Sequence, residues 1–258
     1  MNYRHIYHAG NFADIFKHCI LIALLNALLE KPKALSYLET HAGIGLYNLN
    51  SEAAQKTKEY ESGLSKLKNV KSPPKFIEEF LKLAEKIPGF YPGSPLITAE
   101  LLRPEDKMIL CELHKDDCAS LKLLFSDMRH PAAIHCLDGY QGLKAFTPPT
   151  PRRGLVLIDP PFEVESEIDD LITGLKTGLE RWPNATYAIW YPIKNNNQHL
   201  FLIRALKSMK LDYLNPSIII NHDETSTKLI GTGMIIINPP FGCEAKIKEI
   251  EKQLTQIL

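Results

Sequence analysis

Four acidic residues close successive apolar runs: Glu39 after "ALSYL", Glu112 after "KMILC", Asp138 after "AAIHCL" and Asp159 after "RGLVLI". Glu39 opens "ETHAGIG", where Gly43 and Gly45 would let a ligand approach the backbone closely. Glu112 could accept both hydroxyls of a ribose, and Asp138 could accept the amino group of an adenine. Each alone has an ordinary alternative: a tight turn at the glycines, an exposed loop charge at Glu112, an Asx-type turn at Asp138-Gly139. Together, in register at strand ends, they outline a nucleoside pocket. The turn lacks the third glycine of the dinucleotide fingerprint, which argues against NAD. Asp159 also begins Asp159-Pro160-Pro161-Phe162, and a near copy, Asn238-Pro239-Pro240-Phe241, follows "MIII".

The segments that must position these residues alternate between strand and helix patterns. Phe12 to Glu30 is apolar at helical spacing, with Asn11 as an N-cap and Pro32 as a stop. Short apolar runs suggest strands at "ALSYLE", "KMILCEL", "AAIHCLD", "RGLVLID", "ATYAIWYP", "PSIIIN" and "TGMIIIN". Helices are expected near 96–102, 115–128, 140–146, 166–181, 197–209 and 243–257. Residues 51–87 are charged and helix-forming, broken at Pro73-Pro74. This alternation implies a doubly wound sheet that binds ligands at the carboxyl ends of its parallel strands.

Bulk properties limit the classes. The chain has 258 residues, 45% hydrophobic and 23% charged, so a packed core is expected and disorder is not. Lys+Arg and Asp+Glu both total 30, so no global charge draws it to nucleic acid. The N-terminus is too polar for a signal peptide, and no apolar run is read as reaching transmembrane length. Five cysteines without CxxC pairing suggest reduced, buried thiols in a cytoplasmic protein, and no zinc-type ligand spacing is present.

The order of acidic turn, ribose acid, adenine-side acid and Asp-Pro-Pro-Phe resembles class I S-adenosylmethionine-dependent methyltransferases. In such enzymes the tetrapeptide serves amine methylation. An exocyclic adenine nitrogen is a poor nucleophile because its lone pair is delocalised into the ring. Hydrogen bonds to the Asp or Asn side chain and to the first proline's carbonyl would draw it toward sp³ geometry. The aromatic ring would stack on a base that has left its helix. Further segments, "YRHIYHAGNFADIFKH" at 3–18, "YLETHAGIGLY" at 37–47, "YPGSPLITA" at 91–99, "LIDPPFE" and "WYP" at 190–192, resemble the RlmJ family over residues 2–242. Its members methylate N6 of an adenine in 23S ribosomal RNA.

The resemblance implies a Rossmann-like class I methyltransferase sheet, mostly parallel with an antiparallel last strand. One domain would span residues 1–258, with an inserted helical subdomain at 46–90, acting as a cytoplasmic monomer without metal. It implies His18, His41, Gly43, Ser94, Glu112, Asp138, Gly139 and Asp159 as the S-adenosylmethionine pocket. Tyr3, His5, Lys17 and Phe162 would contact the substrate, and Asp159, Pro160 and Phe162 would act in catalysis. Arg4 and Lys17 could also meet phosphates. Phe162 stands where tyrosine is usual in the family, and stacking survives that change. Topology separates the two Pro-Pro-Phe copies: an antiparallel last strand would carry Asn238 to the opposite edge of the sheet. The rival readings are the same chemistry on DNA, and a non-catalytic nucleic-acid-binding module linked to use of external DNA.

Overall fold

A computed structural model describes residues 3–164, 166–221 and 229–258. Its first helix, α1 (Phe12–Leu29), starts where Asn11 Oδ1 accepts the N–H of Asp14 at 3.0 Å, a side-chain N-cap. This helix is apolar on nearly every face, the pattern of a helix enclosed by its own protein. By length and composition alone it could cross a membrane, contrary to the sequence expectation. Most of it is instead covered within the fold, and Asp14, Lys17 and His18 are buried with it.

β1 (Ser36–Glu39) follows. Next comes a segment holding β2 (Leu46–Asn48), α2 (Glu52–Thr57), a 3₁₀ turn at Glu59–Ser62, α3 (Leu64–Lys68), α4 (Lys75–Ala84) and β3 (Phe90–Pro92). The glycine turn after β1 therefore leads into β2 and not directly into a helix. β2 pairs antiparallel with β3, closing residues 46–92 into a loop whose helices set Leu64, Leu67, Phe76 and Phe80 into the main core. The alternation then resumes with α5 (Ser94–Leu101), β4 (Lys107–Cys111), α6 (Lys115–Ser126), β5 (Ala133–His135), α7 (Gly139–Phe146) and β6 (Gly154–Ile158). After these come α8 (Glu167–Arg181), β7 (Thr186–Ile193), α9 (His199–Ser208), β8 (Tyr213–Leu214), β9 (Ser217–Ile219), β10 (Gly231–Ile237) and α10 (Cys243–Ile257).

The remaining strands form one sheet in the order β5-β4-β1-β6-β7-β10-β8, with β9 also on β10. The five strands from β5 to β7 are parallel; β10 runs antiparallel to β7. Two apolar layers sandwich this sheet. On β6, Leu155 and Leu157 join the core beneath α1 and α10, whereas Val156 and Ile158 join the one beneath α8 and α9. That alternation, with both faces covered, is why the whole strand reads as unbroken apolar sequence. The chain winds outward from β1 through β4 to β5, then returns to place β6 on the other side of β1. The resulting switch point lies between Glu39 and Asp159, the usual position of a ligand crevice in this architecture.

The antiparallel register pairs Ile237 with Tyr187, so Asn238 emerges beside the start of β7. Its amide donates to the carbonyls of Pro183 at 2.8 Å and Ala185 at 2.9 Å. Asn238 closes the edge opposite Asp159, as topology required, and Phe241 beyond it is almost wholly exposed.

One expectation fails outright. Cys118, in the second turn of α6, forms a disulfide with Cys136 just after β5, with Cα atoms 5.7 Å apart. The pair is 18 residues apart and brought together by the packing of α6 against β5, which no local spacing signals. Cys19, Cys111 and Cys243 are free and buried.

Candidate active site

A cavity of about 990 Å³ opens at the carboxyl ends of β1, β4 and β6. Its walls include Tyr3, His5, Lys17, His18, His41, Gly43, Ser94, Glu112, Asp159, Pro160 and Phe162, which the sequence singled out from segments far apart in the chain. Asp138 and Gly139 are not among its lining. Asp138 Oδ1 accepts the N–H of Gln141 at 2.9 Å and caps α7. Gly139 serves a close approach: a Cβ there would lie 2.2 Å from the carbonyl oxygen of Thr40.

One half of the cavity is built from turns and neutral polar groups around one carboxyl, Glu112. Gly43 has φ +62°, and a Cβ on it would meet the Tyr47 hydroxyl at 2.3 Å. Its N–H donates to Glu112 Oε2 at 2.7 Å, while Oε1 accepts the N–H of His114 at 2.7 Å. Both carboxylate oxygens are thus oriented, each with a lone pair left for a further donor. Burial pushes the Glu112 carboxyl up, although the two backbone donors oppose the shift. Behind it Glu39 is fully enclosed and accepts from Ser94 Oγ at 2.5 Å and Tyr37 Oη at 2.8 Å. Burial pushes Glu39 up to about 8, which the neutral hydroxyl donors only partly offset. Burial lowers His18 to about 3 and His41 to about 4, so both imidazoles are neutral. His18 Nδ1 lies 2.7 Å from the Tyr91 hydroxyl, and His41 Nδ1 lies 2.7 Å from Thr40 Oγ1.

The other half is charged. Asp159 Oδ2 lies 2.5 Å from Lys17 Nζ, and the same ammonium lies 3.0 Å from Asp14 Oδ1. Asp14 Oδ2 meets His5 Nε2 at 2.9 Å, and His5 Nδ1 meets the Tyr3 hydroxyl at 2.7 Å. Burial disfavours both charges, but attraction wins. Two carboxylates hold the Lys17 ammonium well above its ordinary value, and His5 and Lys17 hold the Asp14 carboxyl well below its own. Lys17 is 4% exposed, so it is not the phosphate contact that the sequence suggested. Arg4, the other such candidate, pairs with Asp117 at 3.2 Å.

Phe162 has φ +50°, a left-handed conformation unusual for an aromatic residue, and its ring meets Trp190 edge-on at 5.8 Å. The Lys17 ammonium lies 5.6 Å from the Trp190 ring. Sequence reasoning missed Asp14 and Trp190 as site residues. Asp14 lies three residues before Lys17 on α1, a spacing that places both on one helix face, and Trp190 stands in the "WYP" segment.

The parallel sheet with an antiparallel final strand, and its crevice at the switch point, define the class I methyltransferase architecture. The family model "Ribosomal RNA large subunit methyltransferase D, RlmJ" matches residues 32–258, and the chain belongs to that family. It is 38% identical over 265 residues to "Ribosomal RNA large subunit methyltransferase J" of Haemophilus influenzae, covering 100% of this chain and 94% of the relative. It is 36% identical over 257 residues to the Escherichia coli protein of the same name, covering 97% and 91%. A crystal structure of a Legionella pneumophila protein superposes with a TM-score of 0.90 at 31% identity, covering 97% of this chain and 94% of that one.

Proposed function

We propose that this protein transfers a methyl group from S-adenosylmethionine to N6 of an adenine in 23S ribosomal RNA. The observation that carries the reading is the ion-paired Asp159, beside Pro160 and Phe162, in one cavity with the Gly43–Glu112 turn. The donor set suits the cofactor. Asp14, Glu59, Glu112, Asp117, Asp159 and Glu163 outnumber Lys17, Lys56 and Lys194 around the cavity, which favours a cationic sulfonium and a neutral base over a phosphate. Glu112 would take the ribose hydroxyls, the Gly43 turn would lie against the nucleoside, and His18, His41 and Ser94 would line its pocket. Asp138, whose Oδ1 caps α7, would reach the adenine through its other oxygen, with Gly139 beside it.

Bound there, S-adenosylmethionine supplies an electrophilic methyl group on a positively charged sulfur. Asp159 and the Pro160 carbonyl would accept the two N6 hydrogens of the target, and Phe162 would stack on its base. Lys17 fixes the Asp159 carboxylate in place. As the nitrogen attacks, its surplus proton passes to that carboxylate and on to water. Tyr3 and His5 would close over the base.

Residues 46–90 would form the inserted helical subdomain, with Lys56, Thr57, Glu59 and Ser62 on its cavity side. The protein would act as a monomer. A cytoplasmic location follows from the substrate class and not from the cysteines. The test is to incubate the protein and labelled cofactor with unmodified 23S ribosomal RNA or with DNA, then to analyse the nucleosides. N6-methyladenosine in the RNA is expected. Label in DNA alone, or in neither, would overturn the reading.

A further inference from the structure

Asp14 has no part in the mechanism above, yet it is the most heavily engaged carboxylate in the cavity. Its Oδ2 accepts the Gly10 N–H at 2.9 Å and meets His5 Nε2, while its Oδ1 meets Lys17 Nζ. The residue is 2% exposed and still contributes to the cavity wall. Burying a carboxylate is costly, and the local fold does not demand one here. Asn11 already caps α1, and an amide oxygen at position 14 would still accept the Gly10 N–H, with its NH2 replacing the oxygen that meets Lys17.

What the carboxylate adds is charge. The Lys17 ammonium lies between two carboxylates, so this cluster carries one surplus negative charge before His5 is counted. Without Asp14, Lys17 would cancel Asp159. In amine methylation the C–S bond breaks with its electron pair going to sulfur, while the nitrogen lone pair forms the new N–C bond. Positive charge therefore moves from sulfur toward the nitrogen beside Asp159, until the amine releases its proton. A surplus negative charge on that side favours the transition state over the ground state.

We infer that Asp14 is a positioning residue for methyl transfer: it holds Lys17 and His5 and shares the ammonium's charge, so that Lys17 does not cancel the charge of Asp159. This rests on the methyltransferase reading above.

The test is Asp14→Asn, which keeps the shape and the acceptor for Gly10 but removes the charge. Calorimetry would compare two ligands: S-adenosylhomocysteine, a neutral thioether, and sinefungin, which carries a protonated amine near the position of the transferable methyl. The variant should bind the thioether within about 3-fold of wild type but lose roughly 10-fold in its preference for sinefungin, as expected for one charge removed at short range. Its kcat should fall about 10²-fold, the scale of a lost electrostatic contact in the transition state, with KM for RNA nearly unchanged. Asp14→Glu should restore much of the ligand preference. Lys17→Met makes the opposite charge change and should raise the sinefungin preference, which tests the same charge count even if Asp14→Asn does not fold. An unaltered ligand ratio in these variants would overturn the inference. Wild-type protein that shows the ratio but methylates no RNA would instead overturn the proposed function, because the ligand comparison does not depend on turnover.

Discussion

Asp159 and Asn238 begin near-identical tetrapeptides, and their surroundings assign them different work. Asp159→Ala should abolish methylation, by at least about 10²-fold, while affinity for the neutral S-adenosylhomocysteine, measured by calorimetry, stays within a few fold. Asn238→Ala should leave turnover intact and cost about 1–2 kcal/mol in denaturant melts, since it removes two hydrogen bonds and puts alanine at a left-handed position. Comparable activity losses in both would contradict the assignment. The choice between the copies was legible because the resemblance to class I methyltransferases implied an antiparallel last strand, and strand direction decides it. The burial of Lys17 was not, because its partner Asp159 lies 142 residues away and an exposed helix face has the same local sequence.

Among the elements, the N-terminal 3₁₀ turn at His5–Tyr7 buries none of its own residues. Ile6 packs partly against the core, and the turn is otherwise held mainly by polar contacts: His5 to Asp14, His8 to Glu59 at 2.9 Å, and Thr57 to the Tyr7 carbonyl. Deleting residues 1–8, of which Met1 and Asn2 lie outside the described residues, should therefore leave the melting temperature and cofactor affinity largely intact. Single-turnover methylation should fall at least about 10²-fold as the base loses its cover. Full activity would mark the segment as a dispensable tail. The loop after β4 behaves differently. Glu112→Ala removes a candidate ribose acceptor and also frees the Gly43 and His114 amides, so cofactor affinity should drop by roughly 2–4 kcal/mol. Calorimetry giving wild-type affinity would displace the nucleoside from this turn. The main strands and helices were readable from periodicity, with ends correct to a few residues. β2, β3 and β8 were not, since two or three residues are too few to show alternation and, unlike β5 and β9, these stand in no longer apolar run. The Cys118–Cys136 bond was hidden for the reason that hid Lys17: the fold, not the local sequence, brings the pair together.

Taken whole, the molecule keeps a carboxyl group in its interior at Glu39. Its native value of about 8 exceeds the ordinary 4.5, so the folded chain holds a proton that the unfolded chain releases. Stability from this group is fully present below about pH 4.5 and is lost as pH rises through about 8. Glu39→Gln should flatten that decline in urea melts taken between about pH 5 and 8; an unchanged slope would place the effect elsewhere. A different consequence follows from where α1 is covered. It leaves the ribosome early, with a mean hydropathy of 1.8, but packs against β10 and α10 near the other end of the chain. At roughly 5–20 residues per second, on the order of 10 to 50 s pass before those partners are synthesised. During that interval the nascent protein carries an apolar helix two of whose covering elements have not yet been made. Chains ending after Ile219 should accordingly co-sediment with lipid vesicles, while the full-length protein stays in the supernatant. The helix that carries Lys17 and His18 into the active site would thus also make the growing polypeptide depend on whatever shields it until translation ends.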